Sequence, residues 1–321
     1  MRNIQTILLA VVLCVFCSCS DRGEDISGRR YPILFGSTDT RAVADITDLQ
    51  NNGFKVYAHF EGSLSSASFN DEVEYNSTYN VWGFKTAQYW IPSTEYWFTA
   101  FYPTTSSAGT VNVTEQESNY HSYTITNFDI TKQEDIMVAQ AYREVGANAD
   151  APTDGSVVNL NFQHLLACVV VKIKSETDET VDVKEVTIDQ VANAGSYTYG
   201  PVPNTDPVTY SGSWTSSMKS NLSYEPSNLS IGTGQTAEIT GAGILVIPEE
   251  IPSGRKLTIV TKVNEEDKEY VAELPIDEIK SWEKGQRYTY TLTIKNEYII
   301  FSEPTVEEWD EENATGSVII K

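Results

Sequence analysis

Apolar positions along this chain fall into short runs separated by turn residues, and no stretch carries a long helical period. Phe54 to Phe60 is a compact aromatic and β-branched run after Asn51-Asn52-Gly53 and predicts a strand. Tyr89 to Ile91 and Tyr96 to Tyr102 flank the turn residues Pro92 to Glu95. They predict a hairpin-like pair whose second strand ends at Pro103. Tyr123 to Thr126 alternates with period two, and Lys132 to Ala141 is the best candidate for a short helix or turn. Residues 144–156 are rich in Gly, Ala, Asn, Asp and Pro and mark a domain boundary near residue 150. Beyond it, Val157 to Leu160, Leu165 to Ile173 and Val181 to Ile188 read as strands, the last with partial alternation. Residues 189–238 are rich in Gly, Ser, Thr, Asn and Pro and predict long loops with short edge strands. Four further strands follow at Gly243 to Pro248, Leu257 to Val263, Glu269 to Leu274 and Tyr288 to Ile294. Short strands with regular turn punctuation imply an all-β fold of sandwich type and not βαβ units.

The first residues differ from everything after them. Arg2 is followed by an unbroken apolar run, Ile7 to Cys17, which is too short to span a bilayer and matches the core of a secretory signal. Ser18 supplies the small residue that a signal peptidase needs, and Val15-Phe16-Cys17-Ser18-Cys19 resembles a bacterial lipobox in which the retained Cys is acylated. The expectation is a signal peptide over 1–18 and lipid attachment at Cys19, palmitate among the chains, with ordinary cleavage nearby as the plainer reading. Several acyl chains make attachment stable where one does not. Residues 19–30 would then form a polar tether.

Composition narrows the class. With 22 Lys and Arg against 45 Asp and Glu, the chain carries −23, and −24 once Arg2 is removed (21 − 45). Phosphate contact needs basic patches, so nucleic acid is not an expected partner. Cys14, Cys17 and Cys19 lie in the leader, which leaves Cys168 alone in the body. One thiol forms no internal disulfide, so the fold rests on its core. Cys168 sits in the apolar run Leu165 to Val171 and reads as a small buried hydrophobe.

No chemical motif emerges. The chain lacks His-Glu-x-x-His, Cys-x-x-Cys, a phosphate loop and a Gly-x-Ser-x-Gly elbow. His59, His121 and His164 are far apart and read as structural, and no metal or cofactor is expected. The run Glu307 to Glu312 offers oxygen ligands without the spacing of a calcium loop. Tyr79, Trp82, Tyr89 and Trp90 read as exposed aromatics able to stack on sugars, against the commoner use of such residues in packing.

The motifs in order are Ile33-Leu34-Phe35, Thr40-Arg41-Ala42, Gly53 to Ala58, Tyr96 to Pro103 and Gln133 to Met137. Leu160 to Leu166, Leu245 to Pro248 and Trp282 to Tyr290 follow. Behind a lipobox, this order resembles the fimbrillin-like (Mfa-like) family of Bacteroidales surface lipoproteins, which includes type V pilins. The resemblance implies two tandem transthyretin-like β-sandwich domains, here 31–150 and 151–321. It implies a non-enzymatic lipoprotein of the outer membrane, a fimbrial subunit or accessory adhesin. Its partners would be other pilin subunits, membrane lipid through acylated Cys19, and a host or bacterial surface glycan or protein. In polymerising members a trypsin-like protease cuts after an Arg and removes the first strand, and the groove accepts a donor strand from another subunit. Arg41, before Ala42, matches that cleavage position, with Ile33 to Phe35 as the removable strand. Arg29 and Arg30 are also cuttable, and Arg41 as an ordinary loop residue is the plainer reading. Val318, Ile319 and Ile320 are the candidate donor strand or the last strand of their own domain. The alternative is a monomeric glycan-binding lipoprotein that uses aromatic loops around Tyr79 to Trp90 or Trp214.

Overall fold

The computed structural model describes residues 31–36, 46–62, 66–114, 121–146, 157–203, 205, 208–241, 243–263 and 265–309. These form one short helix and many strands. The first half contains β1 (Leu34–Gly36), α1 (Ile46–Asn52), β2 (Phe54–Gly62), β3 (Ser66–Asn76), β4 (Val81–Phe84), β5 (Thr94–Tyr102), β6 (Thr110–Thr114), β7 (Ser122–Asp129) and β8 (Met137–Val145). Then come β9 (Val158–Asn159), β10 (Gln163–His164), β11 (Ala167–Ser175), β12 (Val181–Pro201), β13 (Tyr210–Tyr224), β14 (Leu229–Ile231), β15 (Thr236–Glu238) and β16 (Ile244–Val246). The chain continues through β17 (Glu249–Glu250), β18 (Lys256–Val263), β19 (Glu266–Glu273), β20 (Ser281–Trp282), β21 (Gln286–Ile294), β22 (Ile299–Phe301) and β23 (Thr305–Glu308).

One sheet runs β10-β8-β5-β2-β3-β4-β1-β9. A second runs β19-β18-β12-β7-β6, with β13 and β14 also on β12. A third runs β15-β11-β21-β22, with β16 on β11 and β23 on β21. The second and third sheets face each other across a core that includes Val169, Val171, Ile173, Val183, Ile188, Ile259 and Leu292. The first sheet wraps its own core around Phe35, Phe54, Phe98 and Trp82. Strands on opposite sides of residue 150 pair three times: β7 with β12, β1 with β9, and β8 with β10.

A third core joins these parts. Phe101 and Val138 come from the first sheet, Tyr123, Ile125 and Tyr197 from the second, and Cys168 and Val170 from the third. From Ala167 to Val171 the strand β11 therefore has no solvent face, while Lys172 and Lys174 further along reach water. Val169, Val171 and Ile173 point one way and Cys168 and Val170 the other, as the period of two requires. Burial on both faces is why Leu165 to Val171 is continuously apolar. Cys168 is fully buried, and desolvation pushes its thiol up to about 12.

Gln133 bridges the halves through its amide. Its Nε2 donates to Leu245 O at 3.0 Å, and Leu245 N donates to its Oε1 at 2.8 Å. The segment read as a short helix or turn is the turn that aims this side chain. Residues 130–132 form a single 3-10 turn capped by Asp129, Gln133 closes it at φ 48°, and extended chain resumes at Met137. Met137 and Ala139 face one core while Val138 faces another, and that double burial favours a strand.

Three other expectations are corrected. Tyr89 to Ile91 do not pair with β5. They run beside Tyr31 to Ile33, and β5 pairs with β2 and β8. Residues 189–238 hold the long antiparallel ribbon of β12 and β13 in place of loops. Bulges hid it: the register shifts between Val183 and Glu185 and between Ile188 and Val191. Each shift inserts a residue into the alternation Val181, Val183, Val186, Ile188, Val191. The helix α1 was not foreseen. It ends on Gly53 at φ 66°, where an added Cβ would lie 2.2 Å from Val73 O.

Gln133→Ala leaves two backbone groups of Leu245 unpaired and is expected to cost about 2 kcal/mol, read as a lower urea midpoint. Native protein at pH 8 is expected to leave Cys168 unmodified by a disulfide reagent, with stoichiometric reaction only after denaturation. Rapid native labelling would show that the shared core opens.

Candidate functional site: the slot filled by the first strand

The segment 31–36 is held on both sides. Trp90 N donates to Tyr31 O at 3.0 Å, and Ile33 N donates to Gln88 O at 2.8 Å. β1 then lies antiparallel to β4, with Phe35 opposite Trp82, and parallel to β9, with Phe35 opposite Val158. Leu160 N closes the end by donating to Gly36 O at 2.9 Å. A strand flanked in this way presents no open edge.

Its side chains alternate. Ile33 and Phe35 point into the core and are 1% and 0% exposed, while Leu34 lies half-buried. Phe35 meets Phe84, Phe98 and Phe54 edge-on, with ring centroids 5.2, 5.4 and 6.2 Å away. Edge-to-face pairs add to the free energy of area burial. A three-residue strand makes few ladder bonds, so the apolar plug dominates its hold. Its partner β9 comes from the residues just beyond the predicted boundary, so the slot exists only when distant parts of the chain are assembled.

Cys19, Arg41, Ala42, Val318, Ile319 and Ile320 lie outside the described residues. The chain before the last three is anchored. β23 pairs with β21, and Trp309 stacks on His164 at 3.8 Å between ring centroids. His164 Nδ1 lies 2.6 Å from Asp135 Oδ2. Thus Glu307 and Glu308 belong to a strand and its end.

The sequence motifs act largely as joints. Glu134 holds the loop at Ser106 and Ser107 through their hydroxyls and the Ser107 amide. Burial raises its pKa, but those hydrogen bonds outweigh it and hold the carboxyl below its usual range. Arg287 is buried against Glu238, 3.4 Å away, and Trp282 donates to Tyr290 Oη at 3.1 Å. The aromatics divide. Trp82 and Trp90 are core residues, 4% and 9% exposed, whereas Tyr79 and Tyr89 are exposed. The tryptophans of that stretch therefore offer no stacking face. Trp214 is half-buried beside a cavity of about 270 Å³. Among the described residues no group of three His, Cys, Asp or Glu side chains converges on a metal-sized site.

An all-β sandwich protein whose first described strand is a short piece of core paired on both edges is the class that this geometry defines. The fimbrillin-like family pattern matches residues 40–309, and the chain belongs to that family. Membership carries a fimbrial or adhesive role at the cell surface. No curated protein matches the chain. Among solved structures, a candidate cell adhesion protein from Bacteroides uniformis is 18% identical, with 87% of this chain and 99% of that chain covered and a TM-score of 0.52. One from Bacteroides ovatus is 17% identical, with 88% and 99% covered and a TM-score of 0.52. The C-terminally truncated tip fimbrial protein Mfa3 from Porphyromonas gingivalis is 9% identical, with 88% and 100% covered and a TM-score of 0.42. The first two similarities concern fold.

Phe35→Ala is expected to destabilise the protein by about 3–5 kcal/mol, because the cavity left among Phe54, Phe84 and Phe98 cannot collapse. Leu34→Ala should cost well under half as much in the same urea titration.

Proposed function

We propose that this protein is a non-enzymatic outer-membrane lipoprotein, acylated at Cys19, that serves as a type V fimbrial subunit or accessory adhesin. It assembles by protease-triggered donor-strand exchange, with tandem units near 31–150 and 151–321. The observation that carries this reading is β1, an interior strand that is short, N-terminal and plugged into the core by Ile33 and Phe35.

While the chain is intact, the plug is intramolecular and its effective concentration excludes a neighbour's strand. Cleavage between Arg41 and Ala42 makes the plug a separate peptide, whose rebinding is bimolecular. A strand from another subunit then competes for the same backbone partners on β4 and β9. Val318 to Ile320 of another copy is the candidate donor. Before cleavage the filled slot protects the subunit from premature association.

Limited trypsin treatment of the purified mature chain is expected to give a new N-terminus at Ala42 and heat-stable oligomers on gels. Arg41→Ala protein should stay monomeric under the same treatment. Monomers from fully cleaved wild-type protein would refute assembly by this route. The second reading, a monomeric glycan-binding lipoprotein, is favoured by one observation, the cavity beside Trp214.

A further inference from the structure

The cavity of about 270 Å³ lies where β12, β13 and the segments around β17 and β20 meet, away from the β1 slot. We propose that it is a binding site for one neutral sugar ring, the terminal residue of a surface glycan. The proposal deepens the adhesive reading above and rests on it for its biological use.

Three features of the wall point to this ligand. The first is a fixed aromatic face. Trp214 donates its indole N–H to Leu165 O at 2.6 Å, and its ring is braced by Phe128 and Tyr197 at 5.2 and 5.3 Å between centroids. The ring is thus preorganised, and little rotamer entropy is lost when the C–H face of a sugar lies on it. The second is a mixture of acceptors and donors. Glu283 supplies an exposed carboxylate and Lys284 an ammonium, and Tyr197 and Ser213 add hydroxyls. A sugar hydroxyl both donates and accepts, so it needs such a mixed lining. Glu249 is 7% exposed at its side chain. Arg255 and Ala192 N donate to Oε1 at 2.8 and 3.2 Å, and the Lys219 ammonium pairs with Oε2 at 3.0 Å.

The third feature is charge balance. Glu249, Glu250 and Glu283 are matched by Lys284 on the wall and by Lys219 and Arg255 on Glu249. Three carboxylates and three cations leave no net charge to attract a phosphate, a sialic acid or an amine, and a neutral polyol fits. Size sets the length of the ligand. Drug-sized sites hold roughly 300–1,000 Å³, so this cavity takes one ring and not an oligosaccharide.

The test uses the purified mature chain and saturation-transfer NMR with glucose, galactose, mannose, fucose and N-acetylglucosamine, each at millimolar concentration. At least one sugar should bind. Trp214→Ala should weaken that sugar at least tenfold. Because Trp214 also braces the core, Glu283→Gln, at an exposed position, serves as the second variant and should weaken binding at least threefold with an unchanged urea midpoint. Sialic acid and glucosamine are run as charged controls; no binding by any of the five neutral sugars, binding that survives both variants, or tighter binding of either control would overturn the proposal. The same variants are cleaved at Arg41 in parallel. Lost sugar binding with intact oligomer formation separates this site from assembly, and failed assembly with intact sugar binding would overturn only the strand-exchange reading.

Discussion

The fold depends on one strand with two inner faces. β11 gives Val169, Val171 and Ile173 to the core between the second and third sheets, and Cys168 and Val170 to the core that also holds Phe101 and Tyr123 of the first half. Neither half can complete its packing alone while that strand is shared. The parallel pairing of β11 with β21, continuous from Cys168 to Ser175, fixes its height in the sheet. Interiors packed at crystal-like density transmit displacement, so a shift of this strand would be felt on both sides.

Around that strand the polar contacts act as locators. The Gln133 amide reads both backbone groups of Leu245 across 112 residues of sequence. Asp135 meets His164, and His164 in turn stacks on Trp309. Each joins a turn of the first half to the start or end of the second. Hydrogen bonds of this kind add modest net stability, but leaving one partner buried and unpaired is costly, so they select one arrangement of the sheets over its neighbours.

The β1 slot follows from the same assembly. β9 and Leu160, which form one wall, are delivered by the chain on its way into β11. The plug is therefore backed by a platform that it does not itself build. The Trp214 cavity stands apart from it, where the ribbon of β12 and β13 meets β17 and β20.

The sequence by itself determined the all-β class, the burial of Cys168, the order of motifs that marks the family, and most strands whose alternation is unbroken. It did so because period-two patterning and turn residues are local signals. It misread residues 189–238, since bulges at Glu185 and near Gln190 break the alternation although the ladder continues. It called Trp82 and Trp90 exposed, because an aromatic residue in a strand looks alike in sequence whether it faces a core or water. It could not pair Tyr31 to Ile33 with Gln88 to Trp90, nor see that β9 would flank β1, because sheet partners are chosen by long-range packing. Those choices, made only in the tertiary structure, turned Ile33-Leu34-Phe35 from a short apolar run into a plug with both edges satisfied. They also placed Trp214, Glu249, Glu283 and Lys284 around one cavity.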